Sequence, residues 1–480
     1  MTPLWSVEAM AAAMGAERAG PLPTGVPGIS IDSRTLRRGE AFFAITGDNR
    51  NGHDFVRAAL DRGAGLAVVA ADRRGRFVKD APLLLVPDVL AGLRELARAA
   101  RVRSEAKIVA ITGSVGKTGT KDALRLALAK DGATHVSVAS YNNHWGVPLS
   151  LARCPASARY AVFEIGMNHA GEIEPLARLV RPHVAIITAI EPVHLEFFGS
   201  LEAIADAKAE IFLGVERGGA AILNADNAQF ARLERRAREA GIERIVGFGE
   251  SPRAEARLMK CALQSDSSTV QARILGADVT YKLGAPGRHL VLNSLAVLAA
   301  AALLGADLAL AALALGELRA ASGRGARIAL EAPGGTVLLI DESYNANPAS
   351  MRAALALLAN AEIGPQGRRI AVLGDMLELG PAGADLHRQL ADEIVPHGLD
   401  LVFCCGPLMR ALWEALPSNR RGGYAETAAA LEPHVLSAVQ PGDAVMVKGS
   451  LGSRMGAIVT ALSNRFRRAA RAAAPVQIST

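Results

Sequence analysis

The stretch KIVAITGSVGKTGTKDALRLALAKDG, residues 107–132, decides how the chain is read. Its first six residues form a short apolar run of the kind that makes a buried strand. From Lys117 onward the spacing is helical, and it stops at Gly132. Between the two lies Gly113-Ser114-Val115-Gly116-Lys117-Thr118. A strand, a glycine-rich turn and a helix N-terminus in that order point backbone N–H groups and a lysine at an anion. The common phosphate loop has a glycine five positions before its Gly-Lys pair. Here that position is Ile111, and the glycine comes two residues later. The reading is a shortened phosphate cradle, with Lys117 reaching to the phosphates and Thr118 in the first helical turn, its hydroxyl available to Mg2+. A bare Gly-Lys-Thr would not support this; the strand before it and the helix after it do.

The same pattern extends outward. Apolar strands recur at YAVFEIG (160–166), HVAIITAI (183–190), GGAAILN (218–224) and RIVGFG (244–249), with helical spacing between several of them. Such alternation predicts a largely parallel sheet covered on both faces. A second doubly wound α/β unit is expected from about residue 319, with strands TVLLIDE (336–342), RRIAVLGD (368–375), LDLVFCCG (399–406) and DAVMVKG (443–449). Before residue 87 the chain reads as a small mixed unit. Ser6 is placed to cap a first helix, ISIDSRTLRRGEAFFAI gives strand-like pieces around a turn at Arg38-Gly39, and AGLAVVA and PLLLV add short strands. LAGLRELARAARVRS is a helical connector. The expected fold is therefore α/β in three domains: a small mixed α/β N-terminal domain (1–86), a central ATP-binding P-loop domain with a mostly parallel sheet (87–318) and a C-terminal Rossmann-like domain (319–480).

Composition excludes other classes. The chain has 480 residues and a formal charge of +6, from 53 basic and 47 acidic side chains. Its arginine pairs are scattered, which predicts solvated faces and no nucleic-acid stripe. Cys154, Cys261, Cys404 and Cys405 have no zinc spacing, so buried thiols in a reducing compartment are expected. The N-terminus lacks a basic region and carries Glu8 where a signal peptide needs an apolar core. LAVLAAAALLGADLALAALALG (295–316) is long enough to span a membrane, yet Gly305 and Asp307 divide it into two Ala-rich helices. A cytoplasmic protein without a membrane span is expected, and a monomer is preferred.

Three further residues attract chemistry. Glu164 ends the strand after the phosphate loop, and His194, in AIEPVHLEFFGS, follows the next one. Both fall at carboxyl ends of parallel strands, where open α/β sheets bind ligands. A carboxylate and an imidazole there are sensible metal ligands, although a capping carboxylate and a structural histidine fit the same positions. The third is Lys208. It interrupts the apolar stripe Leu201, Ile204, Ile211, Val215 of a helix that Ser200 caps. Burial there would make the amine neutral. A neutral amine reacts with carbon dioxide to give a carbamate, an anionic oxygen ligand for a second Mg2+. The alternative is a lysine whose stem is buried and whose tip reaches water. No Asn-Lys-x-Asp guanine motif occurs.

TGSVGKT, FEIGMNHAGEI, EPVHLEFFGS, AKAEIF, GRHLVLNSL and DESYNANPASM occur in order. Together they resemble the ATP-dependent Mur ligases of peptidoglycan synthesis, and the resemblance runs from about residue 30 to about residue 455. DESYNANP and AVLGDMLELG are similar to the member that acts last in building the precursor peptide. The Asp-Asn-Pro-Arg signature of the preceding member is missing. The resemblance implies ATP and two Mg2+ sites, with UDP-N-acetylmuramoyl-tripeptide and D-alanyl-D-alanine as the substrates to be joined. It implies that Gly113, Ser114, Val115, Gly116 and Lys117 hold the β- and γ-phosphates. Thr118 and Glu164 would hold one Mg2+, and His194 and a carbamylated Lys208 a second, with His194 alternatively orienting the γ-phosphate. Asn293 would face adenine, Arg324 phosphate and Asp341 ribose, with Tyr344 and Asn345 bordering nucleotide and acceptor. Ser33 and Arg34 would contact the UDP part, Asn142 and Asn143 the sugar and peptide, and Lys448 the entering dipeptide.

Three positions depart from the pattern: Leu290 where asparagine is frequent, Glu342 in place of aspartate, and Trp145 where isoleucine is common. They bear on the adenine and peptide contacts. Folylpolyglutamate synthase and the preceding Mur ligase share the chemistry and remain alternatives, as does an ATP-driven switch protein that turns over nucleotide without an acceptor.

Overall fold

The computed structural model describes residues 3–47, 50–138, 141–192, 195–320 and 322–468. The Ser6 hydroxyl accepts from the Ala9 N–H at 3.1 Å and so caps α1 (Val7–Met14). A five-stranded sheet follows, built from β1 (Glu17–Ala19), β2 (Ile29–Ser30), β3 (Ala41–Phe43), β4 (Leu66–Ala70) and β5 (Leu83–Val86). Its order is β1-β5-β4-β3-β2, and β1 alone runs antiparallel to its neighbour. The turn at Arg38-Gly39 exists, but β2 and β3 pair in parallel, so it belongs to a crossover and not to a hairpin.

The connector is α2 (Val89–Arg103), capped by Asp88. Its Leu93, Leu96 and Ala100 pack in one core with Leu66 and Leu84 of the first sheet and Ile108 and Ala110 of the next. Apolar burial on both sides makes this helix a rigid bridge and not a linker.

The central sheet has nine strands: β6 (Lys107–Thr112), β7 (Thr134–Val136), β8 (Tyr160–Glu164), β9 (Val184–Ile187), β10 (Ala220–Asn224), β11 (Arg244–Gly249), β12 (Ala256–Leu263), β13 (Ser268–Ile274) and β14 (Ala277–Leu283). Their order is β14-β13-β12-β11-β10-β9-β6-β8-β7. All pairs from β7 to β12 are parallel, and β12-β13-β14 is an antiparallel meander that the sequence pattern did not single out. The α3 helix (Lys117–Ala129) starts directly after the phosphate loop. The α4 helix (Gly146–Ala152) and α5 (Leu201–Ala209) follow, and α5 tightens into a 3-10 turn at Glu210–Gly214. The long apolar stretch is indeed two helices, α6 (Arg288–Leu303) and α7 (Leu308–Ala314). Gly305 adopts φ 78° between them, and Asp307 Oδ1 accepts from Leu310 N–H at 2.9 Å. Among the described residues no helix is long and apolar enough to cross a membrane.

The last sheet contains β15 (Ala326–Ala332), β16 (Gly335–Glu342), β17 (Arg369–Gly374), β18 (Leu401–Cys405), β19 (Arg421–Ala425) and β20 (Ala444–Lys448), with Arg467–Arg468 at its edge. The order is β19-β18-β17-β20-β16-β15, parallel from β19 to β16. The chain leaves β17 for one side and returns to place β20 on the other. The topological switch point therefore lies between β17 and β20.

Candidate active site

Gly113 and Gly116 have φ of 147° and 83°, conformations that side chains resist. A Cβ on Gly113 would collide with the Thr188 hydroxyl, and one on Gly116 would lie 2.5 Å from Asn293 Nδ2. The turn is held from behind. Ser114 N–H donates to Ala189 O at 2.8 Å, and Thr188 Oγ1 donates to Val115 O at 2.5 Å. The Ser114 hydroxyl donates to Glu191 O and accepts from Glu191 N–H, both at 3.0 Å. Ser114 is thus placed as an anchor of the loop. The N–H groups of Val115 and Gly116 remain without an acceptor among the described residues. Lys117 folds back, its ammonium on Gly113 O at 2.6 Å and Ser114 O at 3.4 Å.

One strand away, Glu164 is 1% exposed and fully engaged. Thr118 Oγ1 donates to its Oε2 at 2.9 Å, and Asn142 Nδ2 to its Oε1 at 2.8 Å. Thr118 and Glu164 bring a hydroxyl and a carboxylate oxygen together beside the phosphate loop. Oxygen donors of this kind suit Mg2+, which takes one or two carboxylates and completes its shell with phosphate and water. No cluster of three or more His, Cys, Asp or Glu able to hold a metal occurs among the described residues. His194 lies outside the described residues.

Lys208 sits on α5, 2% exposed. Its amine has no hydrogen bond or ion pair among the described residues. Burial, with the nearby charge of Lys117, pushes its pKa well below the ordinary lysine value. Lys117 is itself pushed down, by burial first; Glu164 opposes the shift and Arg324 adds to it. Lys117 thus feels the charge of Arg324, from the segment that precedes β15, and Lys208 feels that of Lys117. The Arg324 guanidinium lies over the Tyr344 ring, 4.1 Å from its centroid. Basic side chains beside a glycine loop, with the one carboxylate there already hydrogen-bonded, suit a polyanion.

Asp341 is saturated. Its Oδ2 accepts from Gly323 N–H at 2.7 Å and Ser322 Oγ at 3.1 Å, and its Oδ1 from Ser343 Oγ at 2.6 Å and Ser343 N–H at 3.2 Å. It fixes the segment carrying Arg324 against the one carrying Tyr344. Lys448 is buried and donates to Glu342 Oε2 at 3.2 Å and Asn345 O at 3.0 Å, while Asn345 Oδ1 accepts from Ala346 N–H. In the turn after β2, Ser33 is buried, and Arg34 forms a two-pronged pair with Asp32 whose carboxyl is held down at about 2, chiefly by Arg34. Asn143 Oδ1 accepts from Gly146 N–H at 2.9 Å and starts α4.

Two supports escaped the sequence reading. Lys121, 3% exposed, donates to Ser137 O at 3.2 Å, and the Ser137 hydroxyl accepts from Glu164 N–H at 3.4 Å. Its signal was available: Lys121 falls on the stripe of Leu124 and Leu128, as Lys208 does on its own. Thr188 gives no such signal, because a threonine at a strand end is common.

Three family models match in succession: Mur ligase family, catalytic domain (residues 26–101), Mur ligase middle domain (111–301) and Mur ligase, glutamate ligase domain (323–451). A Rickettsia prowazekii protein named UDP-N-acetylmuramoyl-tripeptide–D-alanyl-D-alanine ligase is 32% identical over 456 residues, 95% of this chain and 99% of its own length. The Escherichia coli protein of the same name is 34% identical over 435 residues, 90% of this chain and 93% of its own. A crystal structure of MurF from Acinetobacter baumannii superposes with a TM-score of 0.82 at 29% identity, covering 96% of this chain and 99% of that one. With models matched across all three sheets and relatives aligned over nearly its whole length, the chain belongs to the Mur ligase family.

Proposed function

We propose that the protein joins D-alanyl-D-alanine to the terminal carboxylate of UDP-N-acetylmuramoyl-tripeptide, driven by ATP, as the last cytoplasmic step in making the peptidoglycan pentapeptide precursor. The observation that carries this is a glycine loop whose Val115 and Gly116 N–H groups have no acceptor among the described residues, with the Lys117 ammonium folded against it and the Thr118–Glu164 oxygen pair beside it. It is supported by the shared name of near full-length relatives.

A carboxylate oxygen is a poor leaving group, so it must be activated. The tripeptide carboxylate attacks the γ-phosphorus of ATP, the bond to the bridging oxygen breaks, and ADP leaves. The amine of the dipeptide then attacks the acyl carbon, loses a proton and expels phosphate. Lys117 and the loop N–H groups neutralise charge spread over the transferring phosphoryl. Thr118 and Glu164 would hold Mg2+, which when bound offsets the phosphate charge. Asn293, beside Gly116, borders the adenine; Arg324 meets phosphate; Asp341 and Tyr344 frame the ribose side. Ser33 and Arg34 hold the UDP end, and Asn142 and Asn143 the path toward the reacting carboxylate. Lys208, kept neutral, adds its amine to carbon dioxide with loss of a proton. The resulting carbamate, with His194, would hold a second Mg2+. The working boundaries are residues 1–86 for the UDP substrate, 87–318 for ATP and 319–480 for the amine, in a monomer.

The test is phosphate release from ATP with each substrate omitted in turn. Release that requires both UDP-N-acetylmuramoyl-tripeptide and D-alanyl-D-alanine, with a product heavier by the dipeptide, is expected. Release without the muramoyl substrate overturns the reading.

A further inference from the structure

The proposed function leaves open which groups recognise the amine substrate. Its carboxylate should be met by a cation that the fold does not already use. Lys448 is engaged with Glu342 and Asn345. At the switch point of the last sheet, the loops after β17 and β20 lie side by side: Leu377 N–H donates to Ser450 Oγ at 3.0 Å, and a Cβ on Gly452 would lie 2.7 Å from Leu377 Cδ1. Arg454 stands on the second of these loops, just before α8 (Gly456–Arg465). It is exposed, and its guanidinium has no hydrogen bond or ion pair among the described residues. Its backbone is left-handed, φ 55°, where a glycine would be more comfortable. Two large apolar side chains on the same pair of loops, Leu377 and Leu451, are 41% and 65% exposed. The loop also touches the nucleotide side: a Cβ on Gly456 would be 3.5 Å from the hydroxyl of Ser343, which donates to Asp341. A cation without a partner, two uncovered leucines and a strained loop thus meet where an open α/β sheet binds its ligand.

We propose that Arg454 binds the terminal carboxylate of the amine substrate and that Leu377 and Leu451 receive its methyl groups. This rests on the proposed ligase function. The amine recognised is thus a small apolar dipeptide with a free carboxylate.

The experiment compares D-alanyl-D-alanine with D-alanyl-D-alaninamide, which lacks that charge, on the full-length enzyme and on Arg454→Met, Arg454→Gly and Arg454→Lys. Arg454→Gly relieves the left-handed backbone while removing the guanidinium, so it keeps the test open if Arg454→Met folds poorly. The expected result is a KM for D-alanyl-D-alanine raised about 10–100-fold in the Met and Gly variants, the size of a lost charge-assisted hydrogen bond. The KM values for ATP and the muramoyl substrate stay within about twofold. The preference of the wild type for the free acid over the amide collapses in both variants and partly returns with lysine. An active wild type whose preference persists unchanged in Arg454→Gly overturns the assignment of Arg454 alone. A rise in the KM for ATP instead assigns the guanidinium to phosphate and likewise overturns it. A wild type that makes no product with D-alanyl-D-alanine overturns the ligase reading itself.

Discussion

Two lysines in this molecule are equally buried, each 2% exposed, and are treated in opposite ways. Lys448 ends β20 with a carboxylate oxygen at 3.2 Å and a carbonyl oxygen at 3.0 Å. Lys208 on α5 has neither among the described residues, and the charge that adds to its shift is that of another lysine, Lys117. A buried cation with a matched partner is a latch: it ties the end of β20 to the segment following β16. A buried amine without one is costly as a cation, and burial pushes its pKa well below the ordinary lysine value. Burial alone therefore does not say what a lysine is for. The partner does, and the central sheet leaves its lysine available for chemistry while the last sheet spends its own on holding loops.

The largest effect expected from that contrast is on Lys208. Lys208→Ala should lower turnover about 100–1000-fold, the cost of losing a charge-stabilising group at the reacting phosphate. A short free carboxylate should restore part of the rate. Steady-state kinetics with and without added acetate or formate decide this, and full activity in the variant removes the carbamate. Next come the groups around Glu164. Glu164→Gln should raise the Mg2+ concentration needed for half-maximal rate, and Asn142→Ala, which removes only the donor that orients the carboxylate, should cost about 10-fold. Magnesium titrations of both variants separate direct holding from orientation.

Lys448 should respond in stability as well as in rate. Lys448→Met leaves the mostly buried Glu342 without its counter-charge, and a loss of about 2–4 kcal/mol is expected in urea unfolding. The double variant with Glu342→Gln should recover a good part of it; equal losses in single and double variants would mean the pair is not a latch. The smallest effect concerns pH. Between its lowered pKa and the ordinary lysine range, Lys208 is neutral in the folded chain and protonated in the unfolded one. The unfolded chain then binds one more proton, so stability rises with pH, by up to about 1.4 kcal/mol per pH unit. Below that window the burial penalty is fully present; above it the penalty is gone. Lys208→Met should flatten the slope in carbon-dioxide-free buffer, as read by thermal unfolding.

The same contrast explains what the sequence disclosed. Lys208 was legible because a charge in an apolar stripe breaks a period, and the phosphate loop because strand, glycines and helix stand in unbroken order. The parallel strands were visible as continuous apolar runs, since both of their faces are covered. The β12-β13-β14 meander was not, because it is half exposed and carries Lys260, Arg273 and Lys282 among its apolar positions. The latch roles of Asp341 and Ser114 were hidden for another reason. Ser114 is held by backbone groups at 189 and 191, which any residue supplies, and Asp341 by backbone N–H groups and two serine hydroxyls of no distinctive spacing, so no side-chain pattern marks them. Arg454 was hidden by its loop, where exposure and backbone angle, not spacing, set it apart.

The central claim is that the phosphate loop activates a carboxylate for amide formation. It is tested most directly by labelling the terminal carboxylate of the muramoyl tripeptide with oxygen-18 and measuring the mass of the phosphate released when D-alanyl-D-alanine is present. Each phosphate is expected to carry one oxygen from the carboxylate, because the acyl-phosphate is cleaved between carbon and oxygen. Phosphate free of label, released at the same rate as the joined product, would contradict it.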